Sequence, residues 1–346
     1  MTSSAHTTVL NSAAQSLEER ALIGRIADNP TDALAREQYS RWLEQRSDRR
    51  LPFSQALAEF VGEFNAASEQ CPILFSSASG LSRAWSDMLG YPLFRGIKRH
   101  DELWNVKEIV FRYAKPTLKI IPELVAIGGV PLQGSRFGGQ ASLPPDLPWP
   151  TCSAGPLQFL GQIALGEISL TQVARELPSS GWLSFFAHDE WGSVGASSDD
   201  RDTQVIYVAG DQELVWRETP QEIVERLGSV APPCRLIFTE SWDFPDEKDL
   251  IVAEADQNRL TGGDKWIDLR GTVLGDEAQY SCHLLGYPRH FRTSDPSPSP
   301  DWRNLLCLSS IDSLCWNWCD GEHLAILIPN EQLEAHQFDR VFGYAS

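Results

Sequence analysis

The chain has 346 residues, with 47 acidic and 29 basic side chains and a formal net charge of −18 at pH 7. This sign argues against DNA, RNA or an anionic membrane as a direct ligand, because binding to phosphate groups needs positive charge. No apolar run of about 18 residues occurs, and the N-terminus lacks a basic stretch followed by an apolar core. We therefore expect a soluble protein that stays in the cytoplasm.

The first predicted elements are two amphipathic helices between residues 16 and 46. Apolar residues recur there at helical spacing on both sides of an Asn29-Pro30 break, and Asp32 lies where the helix dipole favours an acid. The segment of about residues 16–50 also resembles a short accessory module at the N-termini of many bacterial proteins of mixed architecture. That resemblance identifies a segment and implies no activity.

Further helices are predicted between residues 57 and 113. Apolar residues continue at helical spacing around Phe60, around Trp85 and from Leu103 to Tyr113. The mixed charges between them are typical of a solvated helix face. We expect residues 1–125 to form a small all-α domain that acts in docking or dimerisation rather than in catalysis.

From Gly128 onward the sequence is typical of short β-strands. Apolar runs bounded by Gly, Pro and Asp lie at 156–165, 181–188, 203–210, 234–240 and 324–329. One helix is predicted at 220–227, where Pro220 marks the start and Ile223 and Leu227 share a face. We expect residues 126–346 to form a β-rich roll or sandwich, so that the whole chain is an α+β protein.

The negative charge is uneven along the chain. Residues 1–125 carry 15 acidic and 15 basic side chains, whereas residues 126–346 carry 32 acidic and 14 basic ones. A one-sided charge of this size fits a surface that binds a basic partner. The alternative is a general contribution to solubility.

Two acidic loops are the candidate binding surface. Asp199, Asp200 and Asp202 lie in a Ser/Gly-rich segment that we expect to be exposed. The second loop mixes carboxylates with aromatic side chains, and its candidates are Trp242, Asp243, Phe244, Asp246, Glu247 and Asp249. Aromatic residues among charges are the composition of an interface anchor surrounded by steering charge. The alternative is that these aromatic side chains fold back into the core.

No residue pattern indicates a catalytic or metal centre. Cys315, Cys319 and His323 fall at four-residue intervals, but zinc sites usually have tighter cysteine pairs and a fourth ligand. His188 and His283 are acid–base candidates, although a single histidine beside a strand is more often structural. The sequence has no Gly-x-Ser-x-Gly motif and no phosphate-binding loop, and its seven cysteines fit buried reduced thiols. We expect no cofactor, no metal and no enzymatic activity.

Two blocks of short motifs follow each other in the β-rich part. The first block consists of Phe137-Gly138-Gly139, Leu143-Pro144, Trp149-Pro150, Pro156-Leu157, Phe159-Leu160, Gln162-Ile163, Leu177-Pro178, Gly181, Leu183, Phe185-Phe186 and Asp189. The second consists of His283-Leu284-Leu285-Gly286-Tyr287-Pro288, Trp302, Leu305-Leu306, Asp320-Gly321, Ile326 and Ile328. In order and content, these blocks resemble the YwqG-like family of bacterial proteins over about residues 128–342.

This resemblance implies a β-roll-like α+β fold with two related halves. The family has no established enzymatic chemistry, several members lie beside toxin genes of interbacterial competition, and some act as immunity proteins. The chain departs from the family pattern after Gly286-Tyr287-Pro288, where relatives usually have Gln and this chain has Arg289-His290-Phe291-Arg292.

Charge and resemblance together predict a non-enzymatic immunity protein that binds and neutralises a cognate antibacterial toxin through an acidic face. The expected target is a basic nuclease, such as one delivered by a type VI secretion system, because enzymes that bind nucleic-acid phosphates are basic. The alternative is a small-ligand-binding or regulatory interaction module in the cytoplasm. An enzyme ranks third, and clustered His, Asp and Cys in a pocket would favour it.

Overall fold

The computed structural model describes residues 10–11, 15–65, 81–99, 101–188, 202–246, 249–260, 269–274, 282–289 and 297–345. A block of helices is followed by one large, mainly antiparallel sheet, which confirms the predicted α+β class. Within the described residues, no helix has both the length and the apolar character needed to cross a membrane.

The N-terminal block consists of helices α1 (Leu17–Asp28), α2 (Ala33–Gln45), α3 (Leu51–Asn65), α4 (Arg83–Met88), α5 (Tyr91–Arg99), α6 (Asp101–Trp104) and α7 (Lys107–Tyr113). The predicted break between the first two is confirmed. Asp32 caps α2 by accepting hydrogen bonds from the backbone N–H groups of Leu34 and Ala35, at 2.8 and 3.0 Å. Helix α5 was not predicted, because its Pro92 is usually a helix breaker; here Pro92 lies in the first turn, where its missing N–H costs little.

The strands are β1 (Leu10–Asn11), β2 (Lys115–Leu124), β3 (Arg136–Phe137), β4 (Ala141–Leu143), β5 (Thr151–Cys152), β6 (Gly155–Pro156), β7 (Gln158–Ala164), β8 (Trp182–Ala187), β9 (Thr203–Val208), β10 (Val215–Arg217), β11 (Cys234–Asp243), β12 (Cys282–Leu284), β13 (Trp302–Ser309), β14 (His323–Pro329) and β15 (Phe342–Ala345). All five predicted strand runs are confirmed. In the described part of the chain, four further α-helices lie among the strands: α8 (Gln221–Leu227), which was predicted, and α9 (Glu254–Leu260), α10 (Leu269–Leu274) and α11 (Asn330–Glu334).

The large sheet has the strand order β15-β14-β13-β12-β2-β11-β3-β7-β8-β9, and β1 pairs with β11. Four strands therefore flank each side of the central β2–β11 pair. The pairs β4–β10 and β5–β6 form small separate ribbons.

The two edges of the large sheet meet, so the sheet is nearly closed. A Cβ atom at Gly343 on β15 would overlap with Oγ1 of Thr203 on β9, and the rings of Tyr207 and Phe338 lie 5.9 Å apart. The interior is filled by aliphatic side chains together with Phe137 and the tryptophans of the turn before β14. This interior is a packed core rather than a ligand channel.

The change from helix to strand comes earlier than the boundary predicted at residue 125. Helix α7 ends at Tyr113, and β2 begins at Lys115 in the middle of the sheet. Pro116 and Pro122 hide this strand in the sequence, because proline is rare inside sheets. Both prolines lie outside the short pairing with β12, which covers only residues 118–120 of β2.

Candidate functional site

Asp243, at the end of β11, lies at the centre of a buried ionic cluster. Arg289 donates to both of its carboxylate oxygens, at 3.0 and 3.1 Å, and Arg270 Nε lies 3.3 Å from Oδ1. The backbone N–H of Tyr287 is a further donor at 2.7 Å. Burial by itself would raise the pKa of Asp243, but the charges of Arg289 and Arg270 outweigh it and hold that pKa well below its usual range. This carboxylate is a structural anion.

The neighbours of Asp243 also point inward. Trp242 and Phe244 are buried in the core formed by the helices. Asp249 is buried as well, and its carboxylate accepts a hydrogen bond from the backbone N–H of Asp246 at 2.7 Å. The prediction of an exposed loop is therefore wrong for Trp242, Asp243, Phe244 and Asp249. The prediction fails because Arg270 and Arg289, which are distant in the sequence, neutralise the carboxylate of Asp243, and because the rings of the two aromatic residues pack in the helical core.

The remaining predicted residues divide into two groups. Asp202 and Asp246 are partly exposed. Burial, together with the adjoining Asp202 carboxylate, raises the pKa of the Cys152 thiol, so Asp202 lies against the β5–β6 ribbon. The other three candidates lie outside the described residues: Asp199, Asp200 and Glu247.

The turn after β12 explains one of the sequence motifs. Gly286 has a φ of +76°, and a Cβ atom there would lie 2.6 Å from Oδ2 of Asp243. The glycine thus lets the backbone reach the buried carboxylate. His283 Nε2 lies 2.9 Å from the backbone oxygen of Tyr287, and Arg289, the residue after Pro288, pairs with Asp243. The Gly286-Tyr287-Pro288 motif therefore has a structural role, and the side chain of Arg289 lies inside the protein.

An acidic surface occurs on a segment that is not among the predicted candidate residues. We call residues 211–225, which run from the loop after β9 through β10 into α8, the acidic segment. Its five carboxylates are all exposed: Asp211, Glu213, Glu218, Glu222 and Glu225. None of the five forms a salt bridge with a described residue. The two arginines nearby, Arg217 and Arg226, donate to the backbone oxygens of Leu147 and Pro156.

Trp216 lies in the middle of the acidic segment and is 43% exposed. Its ring covers the guanidinium of Arg136, whose carbon lies 4.7 Å from the ring centroid. Burial lowers the pKa of Arg136 to about 9, and this side chain donates to the backbone oxygen of Gln140 and to Ser142 Oγ. One face of the tryptophan is therefore fixed from below while part of the ring remains accessible, as in an interface anchor.

A signal for this surface was present in the sequence. Trp216 in β10 and Glu218 just after it are two residues apart and both exposed, with Glu213 preceding them, so the segment combines an aromatic residue with carboxylates. The run at 242–249 predicts a binding surface more strongly because its carboxylates are closer together in the sequence. Density alone does not distinguish carboxylates in solvent from carboxylates paired with distant arginines.

The other chemical candidates do not converge. Cys315 is exposed, Cys319 is partly buried and His323 is buried, and within the described residues no three His, Cys, Asp or Glu side chains are placed to hold a metal ion. Burial raises the pKa of the Cys307 thiol to about 12 and that of Cys234 to about 11. These thiols are protonated at neutral pH, which makes them poor nucleophiles.

Comparison with known proteins places the fold in a family. No curated protein matches the chain. Residues 135–344 match the family model described as a domain of unknown function, DUF1963, which is the YwqG-like domain family. The match begins after β2, so the helical block lies outside it. Because the match covers more than half of the chain, the protein belongs to the DUF1963, or YwqG-like, family.

Proposed function

We propose that the protein is a non-enzymatic immunity protein that binds and neutralises a basic antibacterial toxin through the acidic segment. The observation that carries this proposal is the exposed Trp216 in a segment with five exposed carboxylates that lack salt bridges to described residues. An anchor of this kind supplies buried contact area, and the charges around it supply attraction at a distance.

The charges favour a basic partner for a physical reason. The segment has five exposed carboxylates, and the only basic residues in or next to it are Arg217 and Arg226, which donate to backbone oxygens, so it presents a net negative charge to solvent. Such a field steers a basic protein to the surface, with association rates of about 10⁸ M⁻¹s⁻¹ at low salt. The rate falls as ionic strength rises, because exposed charges are screened beyond about 10 Å at 0.1 M salt.

The nature of the partner rests on the family. The resemblance implies immunity proteins encoded beside toxins of interbacterial competition. Within that class, a nuclease suits the acidic segment best, because a nuclease active site carries the positive charge that binds phosphate. Carboxylates on the inhibitor would then occupy the groove in place of the nucleic acid.

Two matched double variants test the proposal. Glu218→Lys with Glu222→Lys reverses charge on the acidic segment, whereas Glu44→Lys with Glu59→Lys makes the same change on exposed positions of α2 and α3. Each is produced together with the toxin encoded beside its gene, and cell survival and complex formation are scored. We expect the first pair to abolish protection and to weaken binding by more than tenfold, and the second pair to protect like the native chain.

The proposal has two ways to fail. If no neighbouring toxin binds the native protein, the assignment as an immunity protein is wrong. If a toxin binds and both double variants protect equally well, the function stands but the acidic segment is not the binding surface.

A further inference from the structure

A cleft of about 520 Å³ lies where the helical block meets the sheet. Its walls come from α1, α7, the start of β2, the short helical turn at 173–176, and β13. Four of its lining residues are cationic, in a protein whose overall charge is strongly negative: Arg112, Lys115, Arg175 and Arg303. Two carboxylates, Asp28 and Glu176, also line the cleft.

The three arginines are already paired. Both terminal nitrogens of Arg175 bind the Asp28 carboxylate, at 3.0 and 2.7 Å. Arg303 pairs with Glu176, and Arg112 pairs with Asp256 outside the cleft. These pairs hold the guanidinium groups in place and cancel their charge.

Lys115 is the cation that these pairs leave over. Its amine makes no hydrogen bond or salt bridge to a described residue, and Nζ lies 5.1 Å from the centroid of the Tyr287 ring. Burial, assisted by the nearby charge of Arg303, lowers the pKa of Lys115 to about 8. At neutral pH the amine is still mostly charged, so it presents one positive charge to the cleft.

Gln172 is the second, independent observation. It is 1% exposed, lines the cleft, and neither Oε1 nor Nε2 of its side chain has a hydrogen-bond partner. Its backbone is fixed, because its N–H donates to Glu240 Oε1 at 2.7 Å. Nε of Arg303 is buried without a partner as well. A buried polar group without a partner is costly, and such groups recur where a ligand supplies the missing bonds.

These groups specify a ligand. The Lys115 amine, Nε2 of Gln172 and Nε of Arg303 need an acceptor, and one excess positive charge matches one negative charge. Oε1 of Gln172 needs a donor. We propose that the cleft binds a small monocarboxylic acid that carries a hydroxyl group, with its carboxylate on Lys115 and its hydroxyl donor on Gln172. A phosphate dianion fits less well, because Asp28 and Glu176 also line the cleft and would repel its second charge.

Binding is measured by titration calorimetry on the full chain at pH 7 and constant ionic strength. The probes are gluconate and 6-hydroxyhexanoate, which carry a hydroxyl donor, hexanoate, which has a similar chain without one, and inorganic phosphate. We expect saturable binding of gluconate or 6-hydroxyhexanoate that is at least tenfold tighter than that of hexanoate or phosphate.

Two variants locate the site. Lys115→Met and Gln172→Leu are each expected to weaken the binding by at least tenfold while the chain remains folded, since neither removes a hydrogen bond within the described protein. Lys119→Met is the control, because it removes a lysine from the same strand but outside the cleft.

Absence of saturable binding to either donor-bearing acid overturns the proposal. Preference for phosphate or hexanoate overturns the ligand class, and unchanged binding in both cleft variants overturns the location. The Glu218→Lys, Glu222→Lys variant should bind the acid like the native chain, so this test is independent of toxin binding.

Discussion

Replacement of Asp243 by Asn tests whether the ionic cluster at the end of β11 stabilises the fold. The substitution keeps the shape of the side chain but removes its charge, so that Arg270 and Arg289 stay buried without their counter-ion. Breaking a buried ion pair in this way costs about 3–5 kcal/mol, because the remaining charge is neither solvated nor neutralised. We expect the free energy of unfolding to fall by that amount.

The assay is urea denaturation followed by tryptophan fluorescence. With a slope of about 3 kcal/mol per molar urea, the loss corresponds to a midpoint about 1–1.7 M lower. Asp211→Asn is the matched control, since that carboxylate is exposed and forms no salt bridge with a described residue. The control should change stability by less than about 0.5 kcal/mol.

The pH dependence of the same variant gives a second measurement. The pKa of Asp243 is lower in the folded protein than in the unfolded chain, so its contribution is complete above the unfolded value of about 4 and is lost as the pH falls below it. The native protein should therefore lose stability between about pH 5 and pH 2 more steeply than Asp243→Asn. Equal slopes, or a loss of less than about 1 kcal/mol at pH 7, would refute the reasoning.

Three further predictions follow from the geometry. Lys115→Met should unfold at a higher temperature than the native chain at pH 7, because the folded protein lowers the pKa of this lysine to about 8 and the charged amine therefore destabilises the fold. The difference in unfolding temperature should shrink between about pH 8 and 10, where the amine loses its proton. A difference that does not depend on pH contradicts the assignment. Gly286→Ala should lower the free energy of unfolding by about 2 kcal/mol or more, because the backbone φ there is positive and the new Cβ would clash with the buried carboxylate of Asp243. The control Gly166→Ala, where the new Cβ would meet open space, should change the free energy of unfolding in urea by less than about 0.5 kcal/mol. Cys315 should react with a thiol reagent in the native protein, whereas Cys307 should be modified only after unfolding, as peptide mass spectrometry would show.

The sequence is informative where structure is decided locally. The break between α1 and α2 follows from Asn29, Pro30 and the capping side chain of Asp32, and it appears where these residues predict it. The strand at 182–187 follows from a short apolar run between turn formers. In both cases the deciding interactions span only a few residues.

The sequence is less informative where the deciding partner lies far along the chain. Asp243 looks like a solvated carboxylate until Arg289, 46 residues away, is placed beside it. The cleft is even harder to predict from the sequence, because nothing in the sequence near Gln172 and Lys115 indicates that their side chains become buried where the helices meet the sheet. Periodicity and charge density carry no information about such encounters.

The near closure of the sheet also affects the tendency of the protein to aggregate at high concentration. An open sheet of this size would present the backbone groups of β9 and β15 as templates for another chain, and such edges promote aggregation. Here the two edges face each other, and Gly343 provides the space that allows β15 to approach Thr203. A larger side chain at that position would separate the edges. Gly343 is thus a safeguard against intermolecular strand pairing, a role unrelated to any ligand.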